Sequence, residues 1–493
     1  MTRHSPAAYH CGVKICFLSA FIVFASVCAS AQSQGPAPAA CIINGIAQSV
    51  APSGDTATDT ANIQGVMDAC KSVGAAAGRP VYVQLTPGSY TIKPITMRSY
   101  VYLFIPSGVV VNASTVTTDY QIAGSNTCGT VGSSSTGCKP LISAGNAGDP
   151  PASFTGIIGS RAVGIMGGTI NGHGYDVTSN GNSWWQLANQ ANASGKKQVC
   201  PRLIEFDQGQ NIVLRDITLE NSPYFHVVFS QCAYVTALDV TIQTPSPGRP
   251  GTPFNTDGID PISSTNISIT NCHIYDGDDN IAITAANKGP SHDITIQNCR
   301  FGPGHGVSIG SGTTSGIYNV FVKDCFFNGT DNGMRIKSDS TEGGEVHQLY
   351  YDTICMKAIN TNSRSSKNGA IVLDTQYSSS TGNLPPYYHD IHFHDIYSDT
   401  DSATISGKAW DNVRLNGAGG TQPIANISFY NANFTEPKTA TVANIDPAAI
   451  YLYSNSTNLT IPGASVVPDP GIDPFFNEAP NPNLATFCQQ ENR

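Results

Sequence analysis

Four short polar motifs, Asn255-Thr256-Asp257-Gly258, Gly277-Asp278-Asp279-Asn280, Gly304-His305-Gly306 and Arg335-Ile336-Lys337, follow one another at intervals of roughly 20 to 30 residues. That period is one turn of a stacked β solenoid; it is too long for hexapeptide repeats and too short for propeller blades. A finer register runs through it. Asp257-Gly-Ile259, Asp279-Asn-Ile281, His305-Gly-Val307, Asn332-Gly-Met334 and Asn368-Gly-Ala370 share the order polar, small, apolar, so each is expected to open an equivalent strand. Neighbouring strands of a parallel sheet lie about 4.8 Å apart, which turns residues remote in sequence into spatial neighbours. Arg335 and Lys337 alternate with Met334 and Ile336, placing both cations on the face opposite the buried side chains.

Short β-rich pieces such as Val81-Tyr82-Val83, Ile212-Val213-Leu214, Ile267-Ser268-Ile269 and Val320-Phe321-Val322 recur between Gly, Asn, Asp and Ser turns. With 48 glycines and only 12% charged residues, the chain suits a turn-rich all-β fold. The expected architecture is a single-domain right-handed parallel β-helix over residues 41–493. A short capping helix is expected at its N-terminal end, where Ile63, Val66, Met67 and Cys70 fall at helical spacing behind Asp59-Thr60 as candidate caps. No strong helical period follows Cys70. The adjacent Trp184 and Trp185 would face opposite sides in a strand, so at least one is expected to pack and not to bind sugar. Gly172-His173-Gly174 has no aligned carboxylate and reads as a turn with a place on the cleft wall. The Pro-rich tail after Val467 reads as an extended wrap or a partly disordered segment.

The amino terminus carries Arg3 and Lys14, an apolar run from Ile15 to Val27, and Ala29-Ser30-Ala31 before Gln32, the pattern of a signal peptide over residues 1–31 with cleavage after Ala31. Residues 32–40 form a leader. The run is short for a membrane span and no later segment reaches about 18 apolar residues, so a secreted, extracellular, monomeric protein without membrane contact is expected. Of the 14 cysteines, Cys11, Cys16 and Cys28 leave with the signal, and the odd remainder cannot all pair internally. Cys41 with Cys70 and Cys128 with Cys138 are candidate local disulfides in an oxidising compartment. Cys272, Cys299 and Cys325 follow Asn271, Asn298 and Asp324 at one repeated place in three consecutive strands, which makes them members of an interior column in preference to a metal site. A net charge of −10 argues against nucleic acid. It leaves room for an acidic ligand, because local cations decide binding at short range.

A glycosidic bond is cut by a carboxylic acid that protonates the leaving oxygen and a second carboxylate that activates water or attacks directly. Asp257, Asp278 and Asp279 on adjacent coils meet that need, and crowding gives a reason for unequal proton affinities. His305 one coil on can hold the proton balance or orient the acid. Arg335 and Lys337 read as receptors for a substrate anion, and Tyr377 as a residue that stacks on or hydrogen-bonds to a sugar. A lone Asp-Asp pair is commonly a turn or cation ligand; four motifs in register are a different matter.

At these residues the chain resembles the polygalacturonases of glycoside hydrolase family 28, most nearly the secreted bacterial endo-polygalacturonases. Ser183-Trp184-Trp185, Arg202-Leu203-Ile204, Asn221-Ser222-Pro223 and His226-Val227-Val228-Phe229-Ser230 extend the similarity over most of the mature chain. The resemblance implies a pectin-lyase-like solenoid that hydrolyses α-1,4 links of polygalacturonate, or demethylated pectin, with inversion, without metal or cofactor. It also implies that Asp278 is the general acid, that Asp257 and Asp279 hold the attacking water, and that His305 tunes Asp278. Asn255, Arg335, Lys337 and Tyr377 become substrate contacts, and Cys41–Cys70 and Cys128–Cys138 become disulfides. Asn280 and Cys232 depart from the family's pattern, which limits transfer of the fungal disulfides. Exo action, a Ca²⁺-dependent pectate lyase and an inactive carbohydrate-binding β-helix are the alternatives.

Overall fold

Every coil bends where the backbone must enter the left-handed region. Asp216, Asp239, Asn271, Asn298 and Asp324 have φ between 52° and 55°, a conformation that Asn and Asp tolerate because their short polar side chains bond locally. These residues mark the bend that precedes each member of the expected interior column. The residue after each bend, Ile217, Val240, Cys272, Cys299 and Cys325, turns inward and is buried. The Cys272 amide donates to Cys299 Sγ at 3.4 Å, and all three thiols belong to the main apolar core. Cys232 is buried as well, its Sγ facing the Phe206 carbonyl at 3.3 Å.

This computed structural model describes residues 38–145, 160–286, 288–360, 367–378, 382–399, 411–418 and 424–490. The expected signal peptide lies outside them. One sheet of twenty-three strands and another of eleven wind into a right-handed parallel β-helix. The smaller sheet positions the four motifs through β1 (Val227–Ser230), β2 (Ile259–Ile262), β3 (Ile281–Ile283), β4 (Val307–Ile309), β5 (Met334–Lys337) and β6 (Gly369–Asp374). Val227, Ile259, Ile281, Val307, Met334 and Ile371 stack in register. The fifth expected triplet is therefore one residue out: Ile371, not Ala370, meets Met334. A strand's side chains alternate, so Ile371 and Leu373 can continue the interior column of Met334 and Ile336 only in this register.

The N-terminal cap α1 (Thr56–Ala77) has 22 residues and is longer than expected. Its cap is Asp55, whose carboxylate accepts from the Thr58 amide at 2.8 Å. Asp59 is instead buried and accepts from the Ser53 amide at 2.7 Å. Ile63, Met67 and Cys70 close the core, and Cys41–Cys70 and Cys128–Cys138 are bonded.

A second helix, α2 (Trp184–Ser194), and not a strand, carries the two tryptophans, and both are buried as packing residues. Its signal was present in the chain: Ser183 accepts from the Gln186 amide while the Gln186 side chain accepts from the Ser183 amide, a capping box. The tail wraps and ends in α3 (Leu484–Gln490). Phe475 and Phe476 stack on His392 and His394, and a third disulfide, unforeseen from the sequence, joins Cys355 to Cys488. Among the described residues no helix is long and apolar enough to cross a membrane.

Candidate active site

One motif per coil becomes one surface because the strands stack. Asp257, Asp279 and His305 each stand two residues ahead of stacked core positions in β2, β3 and β4, while Arg335 and Lys337 lie within β5. Gly306 allows the close approach of coils: its φ is +83°, and a Cβ there would lie 2.2 Å from the Asn332 carbonyl oxygen. The His305 amide donates to the Asp278 carbonyl at 2.6 Å, tying the third motif to the second.

Asp279 is the electrostatic centre. Its Oδ2 accepts from Lys337 Nζ at 2.7 Å, and its Oδ1 accepts from Ser308 Oγ at 2.8 Å and from Arg335 Nη2. Burial alone would raise its carboxyl, but Lys337, Arg335 and His305 together hold it well below the usual range. Arg335 and Lys337 point away from the core as alternation requires, yet each is only 7% exposed. Both cations are thus already committed to a carboxylate.

Asp278 faces His305 Nδ1 at 3.1 Å through Oδ1 and accepts from Asn255 Nδ2 at 3.1 Å through Oδ2. Asn255 therefore orients this carboxylate. Burial opposes ionisation of Asp278, but the His305 charge and hydrogen bond outweigh it and lower the carboxyl. Burial likewise works against the imidazolium, and Asp278 and Asp279 overcome it, pushing His305 up to about 10.

Asp257 behaves oppositely. Its Oδ1 is buried without a hydrogen-bond partner, and desolvation, followed by the charges of Asp278, Asp260, Asp279 and Asp276, raises its carboxyl well above the ordinary value. Asp260 and Asp276 share this fate, desolvation being the first cause in each. His226, which donates its amide to the Asp257 carbonyl at 2.8 Å, is fully buried and pushed down to about 4 by desolvation, so it packs as a neutral ring.

Tyr377, just beyond β6, is 41% exposed. Arg335 Cζ and Lys337 Nζ stand 5.8 and 5.1 Å from its ring centre, within cation–π range, so an open aromatic surface adjoins the buried cations. Ser308, Asp260 and Asp276 escaped the sequence reading. Ser308 was recoverable from alternation, since it follows core Val307 and pairs with Arg335 in the next strand; its Oγ accepts from Arg335 Nε at 3.1 Å. The second Gly-His-Gly is a turn in which His173 meets Asp176 at 2.6 Å and Asn112 at 2.8 Å.

Residues 108–454 match the family model for glycosyl hydrolases family 28. An endo-polygalacturonase of Pectobacterium carotovorum subsp. carotovorum is 36% identical over 396 residues, covering 79% of this chain and 88% of the relative. The solved polygalacturonase from Erwinia carotovora ssp. carotovora superposes with a TM-score of 0.66 at 31% identity, over 87% of this chain and 97% of that one. The family 28 exopolygalacturonase of Yersinia enterocolitica superposes at 0.62, covering 88% of this chain and 79% of that one; at 17% identity it shares the fold. The stacked carboxylates, the paired cations and the coverage of these matches place this chain in glycosyl hydrolases family 28.

Proposed function

We propose that the chain hydrolyses α-1,4-galacturonosidic bonds of polygalacturonate or demethylated pectin, attacking internal links. The observation that carries this reading is the pairing of Asp279 with both Lys337 and Arg335 beside the exposed ring of Tyr377: a carboxylate-rich reaction centre bordered by cations suited to a sugar acid. Asp278 protonates the leaving oxygen, and Asp257 and Asp279 hold the attacking water. His305 lowers the carboxyl of Asp278, so the acid role requires substrate to raise it. A galacturonate carboxylate can do so by drawing on Lys337, one of the charges that hold Asp278 down. The three disulfides support an exported protein working in an oxidising compartment, in accord with the signal peptide expected over residues 1–31.

One assay tests the function. Polygalacturonate incubated with enzyme and a chelator should yield saturated reducing ends, with viscosity falling well before many ends appear. Ultraviolet-absorbing unsaturated ends that require added Ca²⁺ would identify a lyase and reject the proposal; slow viscosity loss with monomer release would replace endo by exo action.

A further inference from the structure

His305 is held from both sides. Its Nδ1 lies 3.1 Å from Asp278 Oδ1 and 3.7 Å from Asp279 Oδ1, while its Nε2 lies 3.3 Å from Asp331 Oδ2. Asp331 is 7% exposed, and its amide donates to the Gly304 carbonyl at 2.8 Å. The carboxylate is thus anchored to the turn that carries the imidazole. Resting on the roles proposed above for Asp278 and His305, we propose that Asp331 is a positioning residue: it accepts from His305 Nε2 and thereby aims Nδ1–H at Asp278.

The chemistry requires a fixed orientation. An imidazolium whose Nε2–H has no acceptor can rotate, and only a ring with Nδ1–H aimed at Asp278 supports the carboxylate left when Asp278 gives up its proton. Asp331 forms and breaks no covalent bond in this role. The titratable and charged groups around the ring are Asp278 and Asp279 from their own turn, the raised Asp276 beside them, Asp331 from the following coil, and Arg335 and Lys337 from β5, both paired to Asp279. Asp278 and Asp279 stay beside the ring when Asp331 is removed, so its removal weakens the imidazolium without abolishing it.

Asp331→Asn should lower kcat on the order of tenfold with KM nearly unchanged, and should move the alkaline limb of kcat/KM down by about one pH unit. Asp331→Glu should restore part of both. In a His305→Gln background, Asp331→Asn should cost nothing further. Equal losses in both backgrounds, or an unmoved alkaline limb, overturn the positioning role while leaving that of His305 intact. A fully active His305→Gln would remove His305 from the mechanism and the inference with it. Nitrogen NMR of the wild-type protein decides the matter should Asp331→Asn fail to fold: both His305 nitrogens should be protonated at neutral pH, and a neutral ring lacking a proton at Nε2 overturns the proposal.

Discussion

Lys337 Nζ donates to Asp279 Oδ2 at 2.7 Å, so the lysine proposed to receive the substrate's anion is also the counter-ion of a proposed reaction-centre carboxylate. Asp279 and Asp257 therefore stand at opposite ends of one electrostatic scale. The first is ionised by two cations; the second is crowded by like charge and has an oxygen without a partner.

Neutralising these two residues should move stability in opposite directions while severely impairing turnover in both cases. Asp279→Asn leaves two buried cations uncompensated and should cost about 3–5 kcal/mol at pH 7. The folded carboxyl of Asp279 is depressed, so its contribution is present above the ordinary value of 3.8 and is lost as pH falls through its folded value. Variant and wild type should converge in strong acid. Asp257 is raised, so its ionised form is penalised on folding above 3.8. Asp257→Asn should gain on the order of 1 kcal/mol at neutral pH, a gain that vanishes below that value. Melting curves from strong acid to pH 8 check both, and a destabilised Asp257→Asn at pH 7 contradicts the assigned crowding.

Much of this arrangement was legible because a parallel solenoid repeats its environment. Ile259, Ile281, Val307 and Met334 shared one register with their polar neighbours, so one alignment placed Asp257, Asp279 and His305 together. Register failed at Ala370, where a one-residue offset decides which apolar side chain points inward. The burial of Arg335 and Lys337 was also hidden: alternation gives a direction, whereas burial depends on the carboxylate from another coil that lies across them. Nothing local in Cys355 or Cys488 signals their bond, since it depends on how the tail returns over the sheet. By contrast, α2 was signalled by Ser183 and Gln186 and obscured by the expectation that every element after α1 would be a strand.

The tail bond gives a separate prediction. Cys355 and Cys488 are 133 residues apart in sequence, and closing so long a loop restricts the unfolded chain strongly. Replacing both by Ser should lower stability by about 2–4 kcal/mol while kcat at 25 °C stays near wild type, because Asp279 and His305 are held by Asp278, Ser308, Asp331, Arg335 and Lys337. Denaturant unfolding with parallel rate measurements tests this. A large fall in kcat in the folded variant would mean that the tail shapes the groove.

Stereochemistry tests the assignment of water to Asp257 and Asp279. If these residues activate water while Asp278 protonates the leaving oxygen, displacement is single and inverting. NMR of the first-formed reducing end should then show the β anomer from the α-linked substrate. An initial α anomer, or a trapped glycosyl-enzyme, is incompatible with that division of labour.

Recognition of the anion is the final test. A de-esterified galacturonate carboxylate can share Lys337 and Arg335 with Asp279, whereas a methyl ester offers no charge to either. Lys337→Met should raise KM and lower kcat on de-esterified polygalacturonate, because the cation both binds the sugar and places it. It also removes from Asp279 the largest of the charges that hold its carboxyl down, so part of the kcat loss should persist on any substrate. The two effects separate by comparison: the lost discrimination appears in the ratio of kcat/KM between de-esterified and highly esterified pectin, and the altered Asp279 in the loss common to both. The wild-type preference for de-esterified substrate should shrink on the order of tenfold in Lys337→Met. A preference ratio equal to wild type would place discrimination elsewhere in the groove and leave Lys337 as a partner of Asp279 only.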